Sequence, residues 1–211
     1  MSQLAINVPA ASRVFKRHKL DFCCSGQRAL SEVCRERGLD PKTVLAELER
    51  EAMKVTEPPV AYSSPDELID HILERYHEPL RQELPELVAM AKRVEIRHGD
   101  KPSCPRGLAE HLVALHGDVL EHLAKEEQIL FPSIRAGMVV RGPIAVMQLE
   151  HEDHGAALER TRTITADLTP PPGACATWRA LYLRLQELES ELMDHIHLEN
   201  NVLFPTALRG S

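Results

Sequence analysis

Apolar residues recur every three or four positions through four long stretches of the chain, as in Leu73, His77, Leu80, Leu84 and Leu87, or Leu181, Leu185, Leu188, Leu192 and His195. That period puts them on one face of an α-helix and predicts four amphipathic helices. Proline and glycine break the pattern at VTEPPV (55–60), GDKPSCPRG (99–107), VVRGP (139–143) and TPPPG (169–173). The helical segments then run from about Ser64 to Arg97, Pro105 to Ala136, Pro143 to Leu168 and Ala174 to Leu208. Loops this short force consecutive helices antiparallel, so the expected architecture is all-α, an up-down-up-down four-helix bundle. Residues 1–57 read differently, as short helices starting near Ser12, near Ser25 or Ser31, and at Asp40 with Pro41 as the first helical residue. They predict a small helical domain, too small to be very stable alone. A linker over Val55–Ser64 would let it move against the bundle of residues 58–211.

Composition narrows the class of partner. Aromatic residues make up only 4% of the chain, short of what sandwiches and barrels use, which favours helices. With 25 Lys and Arg against 32 Asp and Glu the net charge is −7, which argues against nucleic acid or an anionic membrane as a partner. No apolar run approaches the roughly 20 residues of a membrane helix. The opening MSQLAINVPA lacks the basic and apolar regions of a secretory signal, so a cytoplasmic protein is expected. Five cysteines, with Cys23 and Cys24 adjacent and Cys34, Cys104 and Cys175 scattered, do not make a disulfide framework.

Histidine is the compositional outlier, because ten of the 11 fall between positions 71 and 197. Laid on itself, the sequence shows why. HLAKEEQILFP begins at His122 and HIHLENNVLFP at His195, each with Glu four residues and Phe-Pro nine residues after the first His. Counting back 45 residues from His122 gives His77, and 44 from His195 gives His151. Each half is thus a helix with one His followed by a helix with His-x-x-x-Glu. Positions i and i+4 share a helix face, about 6 Å apart along the axis. The stripe through His122 and Glu126 continues in Leu115, Val119, Ile129 and Leu130, and that through His195 and Glu199 in Leu188, Leu192 and Val202, so both point inward.

Buried carboxylates and imidazoles need partners, and a metal supplies them. Antiparallel neighbours would let His77 face His122 and His151 face His195. Four imidazoles and two carboxylates are too many for one tetrahedral zinc and suit two metals bridged by Glu126 and Glu199. Iron is the expected occupant, with manganese or zinc as alternatives. His154 competes for the same metal, while His71, His98, His111, His116 and His197 lack a repeat counterpart. Asp118, one turn before His122, and Glu150, beside His151, are placed to orient ligand imidazoles or line a path for protons or metal. Glu127 reads equally as solvated helix charge. Adjacent Cα atoms are about 3.8 Å apart, shorter than the usual disulfide span, so Cys23 and Cys24 are not expected to form a structural bridge. Near a Ser-Gly turn and Arg28, either thiol is expected to have a lowered pKa and act as a metal ligand or in redox or metal transfer, the alternative being two small buried hydrophobes.

DFCCSG at 21–26, HxxxEExxLFP at 122–132, LEHEDHG at 149–155 and DHIHLENNVLFP at 194–205 make the chain resemble the iron-sulfur cluster repair di-iron proteins, the Repair of Iron Centres family. The likeness runs through essentially the whole chain. It implies an N-terminal double-cysteine domain joined to a hemerythrin-like bundle that holds a carboxylate-bridged pair of non-haem irons. Transferred position by position, the family's ligands fall on His77, His122, His151, His195, Glu126 and Glu199, its cysteines on Cys23 and Cys24, and its path acids on Asp118 and Glu150. Asp118 is shorter than the Glu expected there, and Ser25-Gly26 stands for Gly-Gly. The resemblance further implies protection from nitrosative and oxidative stress, with damaged iron-sulfur proteins and nitric oxide or oxygen as partners. It allows a homodimer and a nitric oxide reductase activity. The rival expectations are a non-catalytic binder or sensor of nitric oxide or oxygen, and a bundle around structural zinc.

Overall fold

The computed structural model describes residues 1–8, 10–24, 26–54 and 62–209, and among them there is no strand. The expected helix start at Ser25 lies outside the described residues. So do the boundary between residues 57 and 58 and most of the expected linker.

Four short helices come first: α1 Ser2–Asn7, α2 Ala11–Arg17, α3 Leu30–Glu36 and α4 Pro41–Ala52. The start of α4 follows the sequence, since Asp40 accepts from the Lys42 N–H and Pro41 opens the helix without wasting a donor. Ser12 and Ser31 instead lie inside the first turns of α2 and α3, whose caps are Ala10 and Ala29 with no side-chain bond. Packing rather than capping holds these two, through Val14, Phe15, Val33 and Cys34 in the core.

The bundle consists of four rods. The first joins α5 Pro65–Ile72, a π-turn over Leu73–His77 and α6 Glu78–His98. The second joins α7 Leu108–Lys125, a π-turn over Glu126–Leu130 and α8 Phe131–Arg135. The third is α9 Arg141–Ile164, and the fourth joins α10 Ala176–Leu198, a π-turn over Glu199–Leu203 and α11 Phe204–Arg209. Ser64 caps α5 by accepting from the Glu67 N–H at 3.2 Å. In the bundle α6 lies between α7 and α10, and α7 also packs on α9. No helix among the described residues is long and apolar enough to cross a membrane.

Two apolar clusters fill the interior. The smaller gathers Ile69, Ile72, Phe131, Ile144 and Phe204 at one end. The larger runs through Leu84, Leu112, Trp178 and Leu185 and continues without a break into Phe15, Leu20 and Phe22 of the N-terminal segment. The N-terminal helices are therefore docked on the bundle. Phe22 meets the His197 ring edge-on at 5.2 Å, the Lys16 ammonium lies 2.8 Å from Ser190 Oγ, and Arg37 reaches Glu159 at 2.7 Å.

Candidate metal centre

Between the two clusters the helices turn six polar side chains inward: His77, His122, Glu126, His151, His195 and Glu199, none more than 2% exposed. Three of them sit at π-turns. His77 ends the first, Glu126 opens the second and Glu199 opens the third, and in each the residue after the turn donates its N–H five residues back, to Leu73, Glu126 and Glu199. Pro79, Pro132 and Pro205 each lie two residues beyond a turn. A proline ring inside an α-helix collides with the carbonyl four residues back and brings no N–H, and the wider turn relieves both problems. The wider turn also rotates the chain more slowly about the helix axis. Ile129, expected on the inward stripe, is consequently 56% exposed, while Leu130 and Phe131 are buried.

The side chains divide into two groups that share both carboxylates: His77 and His195 with Glu126 and Glu199, and His122 and His151 with the same two. Within each pair the Nε2 atoms are 3.1 Å apart. Glu126 Oε2 lies 3.4 Å from Nε2 of both His77 and His122, and Glu199 places Oε1 3.0 Å from His195 Nε2 and Oε2 3.1 Å from His151 Nε2. The pairing across the bundle corrects the expectation that His77 would face His122 and His151 would face His195. α6 has a neighbour on each side, and its His77 turns towards α10.

These residues fit a pair of cations. Two imidazole nitrogens bound to one ion at right angles, with bonds of about 2.1 Å, stand about 3 Å apart. Both oxygens of Glu126 and Oε2 of Glu199 are fully buried and have no hydrogen-bond partner among the described residues. Such atoms are expensive in the absence of a counter-charge. Burial drives His77 down to about 4 and His122 down to about 2, so both are neutral and have a lone pair free. Burial, followed by the Glu199 charge, raises Glu126 well above the carboxylate range. Against its own burial, the His195 and His151 neighbours hold Glu199 well below it.

Outside this layer, other groups fix the rings. His77 Nδ1 lies 2.7 Å from Glu127, which Arg81 also contacts at 2.7 Å, and His122 Nδ1 lies 2.8 Å from Glu150, held by Lys125 at 2.6 Å. Such partners set which nitrogen carries the proton. His151 Nδ1 is 3.0 Å from Asn200 Oδ1. Tyr76 stacks on His195 at 5.4 Å, Phe131 on His77 at 5.6 Å and Phe204 on His151 at 6.0 Å. Glu150 stands where sequence placed it, against a ligand-type imidazole. Asp118 is exposed, off the inward stripe expected for it, at the edge of the buried arc of α7 that runs through Leu115 and Val119. His154 is buried with its ring 4.9 Å from that of His122, yet belongs to neither group.

Asn200 was not legible as a site residue until the repeat is aligned one position further. Glu127 follows Glu126 as Asn200 follows Glu199, and each backs the histidine of the preceding helix. By the same alignment Tyr76 stands where Glu150 does, and touches His195 where Glu150 touches His122.

Cys23 and Cys24 come to the same place. Their sulfurs are 3.5 Å apart and unbonded, and Cys24 Sγ donates to the His151 carbonyl at 3.2 Å. Asp21 Oδ1 accepts from the N–H groups of Cys23 at 3.1 Å and Cys24 at 2.9 Å. The expectation of a lowered pKa fails for Cys23, whose thiol is pushed well up by its hydrogen bond to Cys24 and by burial. Arg28 is turned away to Glu32 and Glu36, at 3.0 and 2.9 Å. A cavity of about 460 Å³ lined by Asp21, Cys23, Cys24, Gly155 and Met193 opens above the pair.

Comparison with known proteins matches this architecture in two parts. Residues 68–207 match the Hemerythrin HHE cation binding domain, and residues 1–52 match a domain of unknown function, DUF542. The iron-sulfur cluster repair protein YtfE of Escherichia coli O8 (strain IAI1) is 46% identical over 100% of this chain and 96% of its own length. The proteins of the same name from Citrobacter koseri and from Shigella boydii serotype 4 are each 45% identical with the same coverage. The hemerythrin domain binds a di-iron centre, and the two buried His and Glu groups have the composition to hold one. With the full length of the chain matched at nearly half its positions, this protein belongs to the iron-sulfur cluster repair family of hemerythrin-domain proteins.

Proposed function

We propose that this protein repairs damaged iron-sulfur clusters from a di-iron centre in which His77 and His195 would hold one iron and His122 and His151 the other, with Glu126 and Glu199 shared between the two groups. The observation that carries the ligand set is the layer of six buried side chains whose imidazole pairs stand 3.1 Å apart around carboxylate oxygens with no partner. Two irons bound there supply one-electron redox chemistry and a store of metal. The chain's own residues supply the rest. Glu127 with Arg81 and Glu150 with Lys125 keep the Nδ1 protons of His77 and His122 in place. The rings of Tyr76, Phe131 and Phe204 close over the histidines and keep bulk water out.

In this reading Cys23 and Cys24 pass metal or electrons between the centre and a damaged cluster, as their contact with the His151 backbone and with the open cavity favours. Five free cysteines suit a reducing cytoplasm. The enclosure of the six residues favours a diatomic small ligand, nitric oxide or oxygen, over anything larger. Residues 1–57 form the double-cysteine domain and 58–211 the di-iron domain of this reading. The division tracks the two family matches, at 1–52 and 68–207.

Metal analysis of anaerobically purified protein tests the reading. Two irons per chain are expected, lost in a Glu126→Ala, Glu199→Ala variant together with the reactivation of an oxidatively damaged iron-sulfur enzyme. A Cys23→Ala, Cys24→Ala variant is expected to hold its irons and lose the reactivation. Normal reactivation by that variant would remove the cysteines from the route, and zinc in place of iron would end the di-iron reading. Visible spectra before and after nitric oxide, with turnover counted, separate a stoichiometric binder from a catalyst.

A further inference from the structure

The two halves of the centre differ behind two of the four histidines: Tyr76 stacks on His195 where Glu150 bonds His122, and an amide stands behind His151 where a carboxylate stands behind His77. At the repeat position where the first half has Glu127, the second has Asn200, and both accept from Nδ1 of the histidine on the preceding helix. A carboxylate can only accept, whereas an amide accepts with its oxygen and donates with its nitrogen. Asn200 uses both ends, since its Nδ2 donates to the Cys23 carbonyl at 3.1 Å while its Oδ1 faces His151. The orientation follows from the chemistry. An imidazole that binds a cation through Nε2 carries its proton on Nδ1, so the amide oxygen must face the ring and the NH₂ must face away. Cys24 Sγ closes the loop on the His151 carbonyl. His195, at the other candidate metal position, has no hydrogen-bond partner on Nδ1 among the described residues. The double-cysteine loop thus bears on one imidazole of the four, and through it on one metal position of the two.

We propose that Asn200 is a positioning residue that couples the double-cysteine loop to the iron held by His122 and His151 and leaves the iron held by His77 and His195 uncoupled. The two irons are in consequence inequivalent, and displacement of the cysteine loop loosens only the first. This rests on the ligand set proposed above.

The test uses the full chain loaded with ⁵⁷Fe. Two irons in the wild type that are lost in the Glu126→Ala, Glu199→Ala variant establish the site first, so failure of that reading is visible before any Asn200 variant is made. Asn200→Ala is expected to lose one of its two irons to a chelator on the order of tenfold faster than wild type, the usual cost of removing an outer partner of a ligand histidine. The second iron should leave at the wild-type rate, and one Mössbauer doublet of the two should shift. Asn200→Asp keeps an acceptor for His151 and removes the donor to Cys23. It is expected to restore slow release while breaking the link to the loop. That link is read by reciprocity, because a loop that affects iron must be affected by it. In the wild type, loading with iron should change the rate at which iodoacetamide alkylates Cys24, measured on the peptide by mass. In Asn200→Asp the iron-loaded and stripped chains should react alike. Equal acceleration of both irons in Asn200→Ala, no acceleration of either, or an iron effect on Cys24 that survives in Asn200→Asp would each overturn the proposal. Should Asn200→Ala fail to fold, the near-isosteric aspartate and the alkylation measurement still decide.

Discussion

A buried carboxylate with both oxygens unpartnered is an unusual thing for a chain to keep, and Glu126 is one. Burial and the neighbouring Glu199 charge push its pKa well up, which favours the protonated form in the metal-free chain. Glu126→Gln, which imitates the protonated acid, should therefore melt at or above the temperature of the metal-free wild type while binding iron poorly. Melting curves taken with and without metal would show the two effects moving in opposite directions. Gly26 makes a second prediction, because a Cβ there would stand 2.4 Å from the Phe22 carbonyl oxygen and 2.8 Å from Ser2 Cβ. Gly26→Ala must push the cysteine loop off its seat, at a cost of about 1–3 kcal/mol, measurable by urea unfolding. At this scale the sequence is informative where a contact is local. His122 with Glu126, and His195 with Glu199, follow from four residues of spacing, and both pairs are buried. Glu127 against His77 does not follow, since its partner lies 50 residues away on another helix. Asp118 fails for a smaller reason: one turn from a buried residue at the edge of an arc is already outside it.

The helices themselves were legible as elements, but their π-turns were not. Hydrophobic period reports a face and not the local pitch, so three widened turns are invisible until the stripe behind them shifts, as it does at Ile129. Proline is the only mark they leave, and it is an ambiguous one, because Pro85 lies inside α6 without any such turn. The turns at Glu126 and Glu199 set the direction of the two shared carboxylates. Pro132→Ala together with Pro205→Ala removes the reason for the wider turn and allows ordinary α-helical bonding to return. The expected result is a metal-free chain that resists urea better than wild type and binds iron more weakly, checked by titration against a competing chelator. Weaker binding without a gain in metal-free stability would mean that the prolines do not cause the turns.

For the molecule as a whole, acid should be the most discriminating stress. His77, His154 and His197 are each depressed to about 4 and His122 to about 2, all chiefly by burial. The unfolded chain takes up protons near the ordinary histidine value of about 6.5, and the folded chain refuses them until far lower. Since the unfolded state then binds more protons, stability is complete above about pH 6.5 and falls as the pH drops from there towards 4. Three carboxyls raised by burial, Glu126, Glu189 and Asp194, titrate in the opposite sense, and the four histidines outnumber them. The urea midpoint of the metal-free chain should decline steadily through that window, and a flat profile would mean that the rings are hydrated.

The repeat in the sequence determined the kind of chemistry: four imidazoles and two carboxylates on inward faces, at intervals that helix geometry alone makes neighbours. It also determined the order of helices, through the prolines and glycines between them. Only the tertiary structure decided which histidines stand together. The repeat pairs each helix with the next, but α6 packs against both α7 and α10, and His77 meets His195 while His122 meets His151. Only the fold, likewise, seated the cysteine loop on His151 by way of Asn200. The division has one physical cause. Spacing within a helix is fixed by its covalent geometry and its own hydrogen bonds, whereas the choice between two neighbouring helices belongs to packing, which no single segment contains.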